Sequence, residues 1–192
     1  MNKLTWEKFD ELKEKWLQIP INTPTLLNTI IEQLFEIVLL QSHFAEVYAE
    51  FCSHVAAEYD EKFIAATEAF QESEATQKMT FKRLLLTQCQ IQFEAEKKQE
   101  ADKEIKREDY PEGREGQDEF EIAEKKKWQD SKKAIGNIIF IGELYKKRML
   151  NENIMHTCIA NLLKVALAKA EAERIECLCK LLATIGSTID TK

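Results

Sequence analysis

Only eight of the 192 residues are breakers, five glycines and three prolines. A β-sandwich or barrel needs turn chemistry at roughly every 8–12 residues, and this chain does not have it. Long helices joined by short loops remain. The apolar spacing agrees. Trp6, Phe9, Leu12, Trp16 and Ile19 recur at steps of three or four, which is one face of a helix, with Thr5 as N-cap and Lys8 at the capping-box position. Pro20 ends it, and Asn22-Thr23-Pro24 opens a second helix, with the proline in the first turn where its missing N–H costs nothing.

The second helix carries a doubled stripe, Leu26, Leu27, Ile30, Ile31, Leu34, Phe35 and Val38, so it is buried on more than one side. Phe44, Val47, Tyr48, Phe51, Cys52 and Val55 predict a third. Residues 58–78 are weaker, with Phe63 and Phe70 as anchors, and suggest a partly helical connection. The pattern returns with Phe81, Leu84, Leu85, Cys89 and Phe93. Over 94–133, twenty-five of forty residues are charged with mixed signs, and Pro111, Gly113 and Gly116 interrupt them. That predicts a long solvated helix, a mobile loop over 109–118, and a further helix from about Gln117. Three more apolar stripes follow, Ile138–Met149, Ile154–Leu167 and Ile175–Ile185, the last closed by Gly186. Seven or eight helices result, an all-α chain consistent with helix–turn–helix repeats of about 40 residues. Wide apolar stripes suit a solenoid, in which each helix touches its own partner and the neighbouring repeats; a compact bundle is the alternative.

Composition bounds the function. With 44% apolar and 32% charged residues the chain can bury a core. A net charge of −7 argues against a dedicated nucleic-acid binder on average, without forbidding a local basic face. Five scattered cysteines, an odd number, read as reduced thiols of a cytosolic or nuclear protein. The N-terminus has charges at Lys3, Glu7, Lys8, Asp10 and Glu11 and no signal-peptide core; no apolar run reaches the length of a membrane span.

No catalytic or cofactor constellation is legible. His156, Cys158, Cys177 and Cys179 lie close in sequence, but residues two apart on a helix point about 200° apart, so core or surface thiols are favoured over a zinc site. Nothing pairs His43, His54 or His156 with a cysteine nucleophile. The string from Gly136 to Gly142 lies inside an apolar helical pattern, so its glycines read as close-packing positions rather than a phosphate loop. The basic cluster of Lys125, Lys126, Lys127, Lys132 and Lys133, with Lys146, Lys147 and Arg148, is first a solvated face and second a phosphate-binding one; Trp128 alone is weak support for base stacking.

Several strings carry a resemblance. Asn2-Lys3-Leu4-Thr5 with Phe9, then FKRLLLTQCQIQFE (81–94), IGNIIFIGELYKKRML (135–150), IMHTCIANLLK (154–164) and ECLCKLLATIG (176–186) closely resemble the middle domain of eukaryotic translation initiation factor 4 gamma. The resemblance runs over nearly the whole chain, although 56–79 shows no close match. It implies a crescent of HEAT-type helix pairs in a single domain over 1–192, starting at the second helix of the first repeat and lacking the fifth pair. It further implies a cytoplasmic scaffold that binds the DEAD-box RNA helicase initiation factor 4A and can touch mRNA and other initiation factors. No membrane, small-molecule or cofactor role is implied. By the same analogy the helicase contacts Asn2 and Lys3, less directly Leu4, and the neighbouring loop at His43 and Phe44. Family members of other kinds, serving mRNA decay or translational repression, share the fold. If the fifth pair is missing, Ile175, Leu178 and Leu182 are expected on an uncovered apolar face that favours self-association.

Overall fold

A computed structural model of the chain describes residues 4–21, 23–68, 80–99, 106–169 and 172–189. Among them are seven α-helices and no strand: α1 (Phe9–Leu17), α2 (Pro24–Leu40), α3 (Ala45–Glu68), α4 (Phe81–Gln99), α5 (Arg114–Lys146), α6 (Glu152–Lys169) and α7 (Ala172–Ile189). The ends follow the local chemistry. Thr23 caps α2, its hydroxyl accepting from the Leu26 N–H at 3.3 Å, with Pro24 in the first turn. Asn151 caps α6 in the same way, 2.9 Å from the Ile154 N–H. Thr5 adopts the extended N-cap conformation before a short 3-10 turn but makes no side-chain cap bond, and α1 stops at Leu17, before Pro20.

The helices stack in two layers. α3 packs between α1 and α5, and α5 packs on α7; in the other layer α2 lies against α4. This is the all-α helical-repeat solenoid that the wide stripes implied. α5 is the axis of the stack, touching α2, α3, α4 and α7. At its buried centre Phe140 meets Phe35 of α2 edge-on, ring centroids 5.4 Å apart. Each of these rings is worth about 1.5–3 kcal/mol in burial.

Two glycines let α5 sit so centrally. A Cβ on Gly136 would stand 2.3 Å from the Leu39 carbonyl oxygen of α2. One on Gly142 would stand 2.9 Å from Thr184 Cγ2 of α7. Both glycines therefore mark close helix approach, as their place in an apolar pattern suggested.

Several sequence expectations need correction. α5 is one helix of 33 residues, about 50 Å long. The charged stretch from Gln117 and the apolar stretch around Ile138 are its two halves, not two helices. No breaker separates them, so the pattern changes from solvated to buried without the backbone changing. α3 runs to Glu68, further into the weak region than its apolar spacing indicated; the Phe63 side chain and Phe70 lie outside what the structure describes. Gly186 lies within α7 rather than closing it.

The segment expected to be mobile is a packed corner. Arg107–Asp109 forms a 3-10 turn, and the Arg107 guanidinium donates to the carbonyls of Tyr110 (3.4 Å) and Pro111 (3.2 Å). Its Cζ lies 5.9 Å from the centre of the Phe120 ring, which also meets Tyr110 edge-on at 5.6 Å. Gly113 takes the one conformation here that needs glycine, φ 106°, and buried Gly116 lies directly against the Pro111 backbone. Tyr110 and Phe120 are thus the anchor, the first two turns of α5 folding them together.

α5 ends in a Schellman motif. The N–H of Met149 bonds the Leu144 carbonyl (3.0 Å) and that of Arg148 the Tyr145 carbonyl (2.8 Å). Arg148 occupies the left-handed position, φ 59°, where glycine is usual. The apolar exposure expected on α7 is present: Ile175 and Leu182 are exposed and Leu178 is half-buried.

Candidate docking edge and basic face

Asn2 and Lys3 lie outside the described residues. Leu4, next in the chain, is buried in the core, so its side chain presents nothing to a partner. Its backbone lies beside the Tyr48 side chain of α3; burial raises the pKa of that tyrosine, and the Leu4 backbone partly offsets the rise. Tyr48 sits one turn beyond Phe44, and residues four apart share a helix face. Phe44 is half-buried against the core, while His43 is exposed and lies against it, ring centroids 4.1 Å apart. The start of the described chain and the α2–α3 corner therefore meet on one edge of the solenoid. Exposed Trp6 stacks on Phe9, which contacts Phe51 and His54 of α3 and ties α1 to the same edge.

The basic cluster does not form one face. Lys125, Lys126, Lys127 and Lys132 are exposed on the solvated half of α5, with Lys133 half-buried. At about 1.5 Å per residue, Lys146 lies roughly 28 Å from Lys127. At that far end the two lysines are already matched. Lys146 pairs with buried Glu143 (2.8 Å), and Lys147 reaches across to Glu50 of α3. The Lys147 hydrogen bond holds the Glu50 carboxyl below the usual carboxylate range, against the opposing effect of burial. These two lysines join elements rather than wait for a phosphate. The remaining feature is Trp128, 58% exposed, with the Lys132 ammonium 3.8 Å from its ring centre. An indole with a cation on one face can stack a base or pack against a protein on the other.

Among the described residues no group of His, Cys, Asp and Glu side chains is placed to hold a metal ion, and no helix is long and apolar enough to cross a membrane. Cys52, Cys89, Cys158 and Cys177 are buried and Cys179 is exposed. Burial pushes the thiols of Cys52 and Cys89 up, which keeps them protonated and poorly nucleophilic.

A stack of packed helices defines the chain as an all-α helical-repeat protein. It belongs to the MIF4G domain family, which it matches over residues 1–192. It is 42% identical over 190 residues to eukaryotic translation initiation factor 4G of Arabidopsis thaliana and 41% identical to that of Triticum aestivum. It is 33% identical to eukaryotic translation initiation factor 4 gamma 1 of Mus musculus. Each match takes in 99% of this chain but only 10%, 12% and 11% of the relative, respectively. The chain thus spans about a tenth of the length of these relatives.

Proposed function

We propose that the chain is a translation-initiation scaffold domain of the cytoplasm, with no catalytic activity of its own, that docks the DEAD-box helicase initiation factor 4A. The docking site is the edge at His43 and Phe44, with Asn2 and Lys3 as the further contact residues. The observation that carries this reading is the approach of the Leu4 backbone to the Tyr48 side chain, which brings the start of the described chain within one turn of the His43–Phe44 corner. Two stretches forty residues apart in sequence then address one partner. A scaffold of this kind acts by binding one arrangement of a two-lobed helicase better than another, and the shift it produces equals that difference in affinity.

Calorimetric titration with purified initiation factor 4A tests the reading. Asn2→Asp with Lys3→Glu, and separately His43→Ala with Phe44→Ala, should each weaken binding more than tenfold while circular dichroism shows the helices intact. Absence of binding by the unaltered chain at micromolar concentration and low salt would refute it.

Trp128 with Lys125 and Lys132 supports a second reading, RNA contact on the solvated half of α5. Affinity for RNA through phosphates falls steeply with salt, while a packed protein interface weakens less, so a salt series separates the two.

A further inference from the structure

Trp6 is 58% exposed, yet its ring is held in place. It opens a short 3-10 turn, Trp6–Lys8, after an extended Thr5. The indole stacks on the Phe9 ring, centroids 5.8 Å apart and planes inclined by 26°. Phe9 is itself buried, and meets Phe51 (6.3 Å) and His54 (5.7 Å) of α3 edge-on. The indole N–H has no acceptor among the described residues. The segment follows one face of α3. Phe44, Tyr48 and Phe51 share that face at steps of four and three. The Leu4 backbone lies beside Tyr48 and the Phe9 ring against Phe51, and Trp6 stands between Leu4 and Phe9 in the chain. We propose that Trp6 is the anchor of the helicase-docking edge, its exposed indole entering an apolar pocket on initiation factor 4A that offers an acceptor to the indole N–H. This inference rests on the reading of the His43–Phe44 edge as the helicase site.

Interface energy concentrates in a few residues, and tryptophan is the type most often among them. An indole brings a large apolar area and one donor at its rim, so it suits a pocket that is apolar inside with an acceptor at the edge. Ordering a mobile side chain on binding costs entropy. The Phe9 stack has already restricted Trp6 before a partner arrives, so less of that cost remains. Position agrees as well. A standard interface covers about 800 Å² of each partner, a patch roughly 30 Å across, wide enough to take in Trp6 and the His43–Phe44 corner together. Trp128, the other exposed tryptophan, is a different feature. The Lys132 ammonium lies 3.8 Å from its ring centre and makes that surface cationic, whereas Trp6 on Phe9 is an apolar pair.

Fluorine NMR of the whole chain, labelled with fluorotryptophan, is the test. The chain has three tryptophans, Trp6, Trp16 and Trp128. The Trp6 resonance is the one missing from Trp6→Phe. A dissolved paramagnetic agent should broaden that resonance in the free chain, and unlabelled initiation factor 4A should shift it and protect it. Calorimetric titration gives the second readout. Trp6→Ala should bind the helicase at least tenfold more weakly. Trp6→Phe, which keeps a ring on Phe9 but lacks the N–H, should lose a smaller factor. The NMR measurement is made on the unaltered sequence, so it decides even where Trp6→Ala unsettles α1. A Trp6 resonance as open to the agent in the complex as in the free chain would overturn the inference, and so would Trp6→Ala binding as tightly as wild type; the helicase reading of the edge would stand in both cases. Absence of binding by the unaltered chain would overturn both.

Discussion

Replacing Gly136 by alanine tests whether the close approach of α2 and α5 decides stability. Helix propensity alone favours the change, since alanine in a helix interior is about 1 kcal/mol better than glycine. The structure opposes it. The new methyl carbon would lie 2.3 Å from the Leu39 carbonyl oxygen and 2.9 Å from Leu39 Cα, both main-chain atoms that cannot swing aside. Restoring contact distance requires α2 and α5 to separate by roughly 1 Å, and a gap of that size forfeits about a quarter to a half of the dispersion energy of the atoms concerned. One turn away, the Phe35–Phe140 pair lies in the same seam. Overpacking of this kind typically costs about 1–3 kcal/mol, and the rigid neighbour places Gly136→Ala at the upper end. Offset by propensity, the net loss is about 2 kcal/mol, or roughly 4–8 °C in Tm for a chain of this size. Gly142→Ala meets a threonine methyl that can move, so it should fall between Gly136→Ala and wild type. Gly186→Ala, with nothing within 4 Å, should stabilise by about 0.5 kcal/mol. Urea denaturation of the three variants gives the order directly. A Gly136→Ala protein as stable as wild type would refute the argument that backbone proximity, not propensity, selects glycine there.

Other outcomes follow from the same geometry. Arg148 bears the left-handed penalty of about 1 kcal/mol, so Arg148→Gly should hold or slightly raise Tm, while Arg148→Val should lower it; equal effects would contradict the Schellman assignment. Lys147→Gln should destabilise at neutral pH, and its difference from wild type should shrink as pH falls below 4.5, because the stability held by a carboxylate of lowered pKa is lost as Glu50 protonates. A pH-independent difference, from melts across the acid range, would show that Lys147 acts through packing instead. A thiol reagent should modify Cys179 rapidly in the native chain and the four buried cysteines only on unfolding.

The helices were legible from sequence because their information is local. Steps of three and four, Thr23 with Pro24, and the scarcity of breakers act within a turn or two of the residues that carry them. The wide stripes of α2 also announced burial on more than one side, which only stacking can satisfy. What depended on tertiary structure involved residues far apart in the chain. The sequence around Lys125–Arg148 shows eight cations, yet the pairing of Lys147 with Glu50 depends on α3 lying beside α5, and that contact takes Lys147 out of the supposed face. Gly136 could be read as a packing glycine, but not that its neighbour is the Leu39 carbonyl. The corner at 107–120 looked mobile because charge and glycine dominate its composition. It is packed because the first two turns of α5 return Phe120 to Tyr110 and Arg107. The groove between α4 and α6, lined by Leu86 and Phe93 on one side and Ile154 on the other, is set by the spacing of the layer. Apolar periodicity determines which face of a helix is buried, whereas a gap depends on how far apart two such faces are held, and that distance is a property of the whole stack.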